Sequence, residues 1–335
     1  MAQVKEGFNG KHILVTGGAG FVGSRLVQRL LTLNANVTVL IGKETSNVPR
    51  VKKLINEGKI KLVRCDLTGK EISEMKSLWK EMDLLAHLGL SIPRSSNFYD
   101  RAIEDINLNL LSTLNLIKAI GGFIKGICFA SSVMVYELPA KLPIKEKHPT
   151  NPTTIYGATK LAVEKFLQVY SHTIGVPVTI LRYSTIYGPG ELKHRAIPNF
   201  IRSVINDEPP VIYGEGLELR DYVYIDDVVE ATILALQKKP RRVFNIGSGK
   251  GYSTLEVARK IIQLSGKKLE PKYVPRPKEV IDIVCDISAA NRELLYSTRV
   301  DLEEGLAREM KWYRKVVQGG VLYVQQMDRA KVLNG

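Results

Sequence analysis

The chain of 335 residues is 44% hydrophobic, enough for a packed core in one large domain or two. Lys and Arg number 48 against 34 Asp and Glu, and the resulting charge of +14 favours anionic partners. The basic residues form no compact tract and are not interleaved with aromatics, which argues against nucleic acid and leaves a smaller anion such as a nucleotide diphosphate. Cys65, Cys128 and Cys285 make no CxxC pair and have no neighbouring His cluster, so neither a disulfide frame nor a metal site is expected. Free thiols, no secretory leader and no run near the roughly 18 apolar residues of a membrane span together predict a cytoplasmic protein with no membrane partner.

Residues 12–15 (HILV) predict a first strand, and 24–31 carry apolar residues at helical spacing. Between them lies the run TGGAGFVG at 16–23, and strand, glycine turn, helix is the context a dinucleotide-binding fingerprint requires. Gly17 permits the tight turn, Gly20 lets backbone N–H groups approach a pyrophosphate, and Gly23 lets the helix pack on its strand. The helix start at Phe21 and Val22 turns a partial positive charge toward the phosphates. A second buried strand spans 37–41. An acid at its end would accept hydrogen bonds from an adenosine ribose, but Ile41 stands there, with Lys43, Arg50, Lys52 and Lys53 downstream. NADP is therefore as admissible as NAD, unless these charges are merely solvated.

A third strand at 61–65 ends at Asp66 and Leu67, where Asp66 either holds an adenine amino group or caps a helix. Strands at 83–88 and 126–130 flank an apolar helix at 106–120. Alternating buried strands and helices predict an α/β fold, a Rossmann-type doubly wound parallel sheet with ligands at the carboxyl ends of its strands. The tripeptide Ile-Tyr-Gly begins at 155, 186 and 212, separations too unequal for a structural repeat.

Ser131 and Ser132 follow the strand at 126–130, and a helical segment over 155–170 opens with Tyr156 and Lys160. Four residues apart, these two share a helix face with β-carbons roughly 6 Å apart. A free phenol has a pKa near 10, so useful phenolate at neutral pH needs a drop of about 3 units, roughly 4 kcal/mol. A nearby ammonium and an oxidised nicotinamide together can supply it. Tyr156 would then move a hydroxyl proton while hydride passes to or from nicotinamide, with Ser132 bonded to the same oxygen and Lys160 on the nicotinamide ribose. In isolation the pair equally describes a half-buried Tyr beside a solvated Lys; its weight comes from the upstream glycine turn and serines.

With these motifs the sequence resembles the extended short-chain dehydrogenase/reductases, specifically the NAD(P)-dependent epimerase/dehydratase family acting on nucleotide sugars. The likeness spans almost the whole chain: residues 16–23, Asp66, His87-Leu88, Asn109 to Thr113, Ser131-Ser132 with Val135-Tyr136, Tyr156 with Lys160, Leu181-Arg182-Tyr183 through Pro189, and Arg220-Asp221-Tyr222-Val223 with Asp226-Asp227. The resemblance implies a proton relay of Ser132, Tyr156 and Lys160, and a cofactor side including Asn109 and Tyr183. It also implies a sugar nucleotide met by Ser132, Thr185, Arg220 and Arg276, the two arginines suiting a diphosphate. Against that, Arg220 could pair with Asp221 and Arg276 could be a loop charge, while Asp226 or Asp227 is expected to cap a helix at 228–236.

Departures from the family pattern narrow the reaction. Dehydratases resembling this family place acids just after the catalytic Ser or Thr; Val133 and Met134 stand here and move no proton. Ser184 and Thr185 replace a usual aromatic and Asn, and His87 to Ser91 replaces a small Ala pair in a loop one residue shorter. The implied layout is a dinucleotide-binding Rossmann domain of 1–184 and 222–249, and a smaller C-terminal sugar-nucleotide region of 185–221 and 250–335. The active site falls in the cleft between them. A homodimer through helices at 103–120 and 154–171 is expected, unless those apolar faces serve the chain's own core. The leading expectation is a nucleotide-sugar 4-epimerase working through a 4-keto intermediate. An NADPH-dependent 4-ketoreductase is the alternative, with a dehydratase or a non-catalytic NAD(P)-binding protein behind it.

Overall fold

Strands that are apolar on both faces need a layer of helices on each side. The computed structural model, which describes residues 7–42, 48–69, 71–89, 97–192, 194–276 and 281–318, has that arrangement. The chain runs β1 (His12–Thr16), α1 (Phe21–Thr32), β2 (Asn36–Ile41), α2 (Lys52–Asn56), β3 (Lys61–Arg64), α3 (Glu71–Glu74), α4 (Lys76–Glu81) and β4 (Leu84–His87). It continues through α5 (Phe98–Asp105), a π-helical turn (Ile106–Leu111), α6 (Ser112–Ile120), β5 (Ile127–Ser132), α7 (Ile155–Ile174), β6 (Val178–Tyr183) and β7 (Thr185–Tyr187). Then come α8 (Ala196–Ile205), β8 (Val211–Tyr213), β9 (Leu219–Tyr224), α9 (Ile225–Lys238), β10 (Val243–Ile246), β11 (Gly251–Ser253), α10 (Thr254–Ser265), β12 (Lys272–Val274) and α11 (Leu302–Gln318).

The main sheet has the order β10-β6-β5-β4-β1-β2-β3, parallel throughout. Its strands alternate sides. Ile13 and Val15 join a cluster with Leu26 and Leu30 of α1 and Val228 and Leu236 of α9, whereas Leu14 joins the opposite cluster with Leu116, Val163 and Leu167 of α6 and α7. The sheet is therefore doubly wound, as the alternation predicts. Two small sheets, β11-β9-β7 and β12-β8, carry a third cluster in which Tyr187, Phe200, Ile261, Leu306 and Tyr313 meet.

The apolar helix expected at 106–120 is the end of a longer run beginning at Phe98. Asn97 caps it, its side chain accepting from the N–H groups of Tyr99 and Asp100 at 2.9 and 3.3 Å. At Ile106–Leu111 the run widens into a π turn, where Ser112 Oγ bonds the Asn107 carbonyl at 3.0 Å. The acids expected to cap a helix at 228–236 do not cap it. The helix starts at Ile225 with Tyr224 at its cap position, and Asp226 and Asp227 lie in its first turn. Asp226 takes the Arg25 guanidinium (Nε 2.6 Å, Nη2 3.1 Å), while Asp227 accepts the N–H groups of Arg299 and Val300 at 3.0 and 3.3 Å. The three Ile-Tyr-Gly tripeptides open α7 and fall within β7 and β8, so they share no structural role.

Candidate active site

The glycine turn joins β1 to α1 as the sequence requires. Gly17 has φ +68°, and a β-carbon there would sit 2.6 Å from Gly89 Cα; one on Gly23 would sit 2.1 Å from the Gly17 carbonyl oxygen. Turn, helix and the segment after β4 are thus packed backbone to backbone, which leaves room for no side chain. Gly20 occupies the α1 cap with no side-chain hydrogen bond, and the first turn holds no acid, so the positive helix end stays unneutralised and fits a pyrophosphate. Phe21 and Val22 are half-buried, their side chains packed against two different clusters.

The residues expected to face adenosine are only partly described. Lys43 lies outside the described residues. Arg50 donates to the Gly190 carbonyl at 2.7 Å and Lys53 lies 3.7 Å from Glu57. Asp66 caps a turn and not a helix: its Oδ1 accepts the N–H and hydroxyl of Thr68 at 2.8 and 2.7 Å. The carbonyl of Leu67 is held by Asn115 Nδ2 at 2.9 Å. Tyr183 is buried with its hydroxyl on Thr232 Oγ1 at 2.7 Å, which keeps its phenol out of the site.

Beside the turn, β5 delivers Ser132 at its last position and α7 delivers Tyr156 and Lys160 one turn apart. Ser132 caps the short helical turn at Val133–Val135, accepting Met134 N–H at 3.2 Å, and lies near enough to Tyr156 to act on its phenol. Burial pushes the Tyr156 phenol up, while the Ser132 hydroxyl and the charge of Arg195 pull it down. In the protein alone the phenol therefore keeps its proton at neutral pH. Of the two activators expected, an ammonium and an oxidised nicotinamide, the chain itself supplies only Lys160. Burial brings Lys160 down to about 7, and its Nζ donates to the Ala130 carbonyl at 2.5 Å while lying 5.6 Å from the Tyr156 ring centre.

Behind this cluster lies a polar layer. Ser131 donates to Glu164, which also takes Arg182 through two bonds, Nε–Oε1 at 3.0 Å and Nη2–Oε2 at 2.6 Å. His87 bridges Thr16 Oγ1 (2.7 Å) and Thr113 Oγ1 (2.8 Å), and complete burial holds it near a pKa of about 3, hence neutral. Asn109, in the π turn, donates to Asp105 Oδ1 at 2.6 Å. Val133 and Met134 line the apolar side, packed with Val135, Tyr136 and Ile144.

On the substrate side Thr185 opens β7, opposite Tyr222 of β9. Arg220 does not pair with Asp221. It donates to the Ile281 carbonyl and, at 3.2 Å, to Leu219, while Asp221 is fully buried and accepts from Ser248, Gly249 and Cys285. Nor is Arg276 a loose loop charge, for its Nη1 bonds Glu218 at 2.9 Å and the Tyr213 carbonyl at 3.2 Å. The charge of Arg276 acts on Arg220, so the two guanidinium groups lie in the same neighbourhood.

Sequence reasoning missed Asp105, Glu164, Arg182 and Arg195. Arg182 left a readable trace, a charge inside an otherwise apolar strand, and Glu164 stands one turn beyond Lys160 on the same helix face.

A glycine turn heading a parallel sheet, with Ser, Tyr and Lys gathered beside it, defines the extended short-chain dehydrogenase/reductase class. The chain belongs to the NAD dependent epimerase/dehydratase family, whose model matches residues 13–247. It is 36% identical over 308 residues to a candidate UDP-glucose 4-epimerase of Methanocaldococcus jannaschii, covering 90% of this chain and 98% of the relative. Among solved structures it is similar to the Thermotoga maritima UDP-glucose 4-epimerase with UDP-glucose (28% identity, TM-score 0.83, 91% and 99% of the two chains). It is also similar to the Bacillus cereus UDP-glucuronic acid 4-epimerase in complex with UDP-glucuronic acid and NAD (29% identity, TM-score 0.79, 91% and 99%). The family is NAD dependent, which settles the choice of dinucleotide that Ile41 left open.

Proposed function

We propose that this chain is a 4-epimerase of a UDP-sugar. The observation that carries the reading is the Tyr156 phenol, near Ser132 and one turn from Lys160, beside an uncapped helix start that fits a pyrophosphate. Bound NAD supplies a hydride acceptor and donor. Tyr156 takes the proton of the 4-hydroxyl as carbon 4 becomes a ketone, and gives it back to that oxygen when the other face is reduced. Ser132 holds the oxygen throughout, and Lys160 and the cofactor's positive charge together draw the phenol down from its raised value. Val133 and Met134 offer no acid or base for eliminating water, which supports epimerisation over dehydration.

The dinucleotide is read onto residues 1–184 and 222–249, and the sugar nucleotide onto 185–221 and 250–335, with Arg220 and Arg276 turned to the diphosphate and Thr185 to the sugar. A homodimer is supported by the exposed apolar side chains of Ile103, Ile106, Leu108 and Leu111, with Phe166 and Val169 of α7.

Purified protein incubated with UDP-glucose, UDP-glucuronic acid and UDP-N-acetylglucosamine, with no added reductant, tests the reading. Interconversion of one 4-epimer pair is expected. Turnover that consumes NADPH one for one would replace it with the ketoreductase reading.

A further inference from the structure

Four charged side chains lie out of water behind the Tyr156 site: Lys160, Glu164, Arg182 and Asp105, none more than 4% exposed. A buried ion persists only with a counter-charge or a dense set of hydrogen bonds. Glu164 and Arg182 satisfy each other through two bonds, although the Glu164 charge still acts on Lys160 more strongly than that of Asp105. Lys160 and Asp105 remain. The lysine donates to one neutral carbonyl, that of Ala130, and otherwise faces the rings of Phe129 and Tyr156 at 5.0 and 5.6 Å. The aspartate accepts Asn109 Nδ2 at 2.6 Å on Oδ1, and its Oδ2 is buried with no hydrogen-bond partner.

Contacts link the two. From Asp105 the chain passes through Asn109, whose carbonyl accepts Thr113 Oγ1 at 2.6 Å, to His87, whose ring stacks 5.5 Å from Phe129, the ring under the lysine. We propose that Asp105 is a second counter-charge of Lys160 beside Glu164: its carboxylate, held on Asn109 at the start of the π turn, opposes the effect of burial on the ammonium and so sets the pH at which the Tyr156–Lys160 pair works. The groups around Lys160 are Tyr156 and Glu164 on its own helix, the Ser131–Ser132 edge of β5, neutral His87 of β4, Arg182 of β6 behind Glu164, and Asp105 of α5. Arg195, preceding α8, acts on Tyr156 with the opposite sign to Asp105. Asp105 thus raises both members of the pair, in keeping with its place as the unneutralised anion of the cluster.

Asp105 is a positioning residue in this account, and the account rests on the Ser132, Tyr156, Lys160 reading above. Its test is a titration of protein carrying 13C at the lysine ε-carbon, followed by NMR without cofactor or substrate, with Lys160→Ala identifying the resonance. Asp105→Asn is expected to lower the Lys160 midpoint by about one pH unit, the effect of one charge several ångströms away at moderate dielectric. Asp105→Glu is expected to keep it near the wild-type value. In turnover, both limbs of the Asp105→Asn pH profile are expected to move to lower pH, because removing one negative charge lowers the pKa of phenol and ammonium alike. Asp105→Ser repeats the measurement should Asp105→Asn not fold. A Lys160 midpoint unmoved by loss of the carboxylate overturns the proposal, whatever happens to stability. The lysine titration needs no turnover, so a protein inactive on every sugar would end the epimerase reading and leave this result legible.

Discussion

Glu164→Gln removes one charge from the ion pair between α7 and β6 without changing its shape. In the wild type Arg182 meets both carboxylate oxygens, at 3.0 and 2.6 Å, and the side chains are 0% and 4% exposed. The amide offers one acceptor and turns an NH2 toward the guanidinium. Arg182 is then a buried cation with no counter-charge, a defect that costs about 3–5 kcal/mol. For a chain of this length that corresponds to a melting point lower by about 4–7 °C. Near-UV circular dichroism during a thermal ramp, with urea titration alongside, measures it. Replacing both partners, Glu164→Leu with Arg182→Met, is expected to recover most of the loss, since two apolar side chains leave no ion unpaired. The double-mutant cycle then gives a coupling of about 2 kcal/mol or more. A Glu164→Gln protein melting within about 1 °C of wild type would refute the view that the pair is dry and mutually dependent.

Tyr156→Phe is expected to lower epimerase kcat by about a hundredfold or more while sugar-nucleotide binding by calorimetry stays near wild type, as loss of a proton carrier predicts. Gly23→Ala places a β-carbon 2.1 Å from the Gly17 carbonyl oxygen, so the helix must leave the turn. NAD affinity is expected to fall at least about tenfold, with about 1–3 kcal/mol lost from stability. Wild-type affinity in that variant would remove the close-packing account of the turn. Glu309 of α11 is fully buried, and burial first, then the neighbouring Glu191, push its carboxyl up to about 8. The folded state therefore holds a proton that the unfolded chain releases near pH 4.5, so this group's contribution is complete below pH 4.5 and fades as pH rises through 8. Glu309→Gln, which cannot ionise, should show a shallower loss of stability between pH 5 and pH 9 in chemical denaturation; parallel curves would contradict it.

The parts of this molecule that were legible in its sequence are those whose cause is local. The glycine turn needs neighbours a few residues away, the buried strands announce themselves by continuous apolar runs, and Tyr156 and Lys160 share a helix face by spacing alone. Asp105, Glu164 and Arg182 were not legible as a group because their meaning comes from separate elements, α5, α7 and β6, that only the folded chain brings together. The alternative of an Arg220–Asp221 pair fails for the same reason: Asp221 points the other way along the strand, into the loop at Ser248, and the guanidinium meets a carbonyl 61 residues away. The helix at 106–120 was recognised as apolar, but periodicity could not tell that Ile106, Leu108 and Leu111 look outward, or that the backbone widens there into a π turn.

Phe21 opens the helix that faces the pyrophosphate, yet its ring belongs to the cluster of Tyr187, Phe200 and Tyr313 in the smaller region, close to Gly190. A side chain shared in this way ties the start of α1 to the cluster carried by the small sheets, so emptying its place, as in Phe21→Ala, is felt at the glycine turn and in that cluster together.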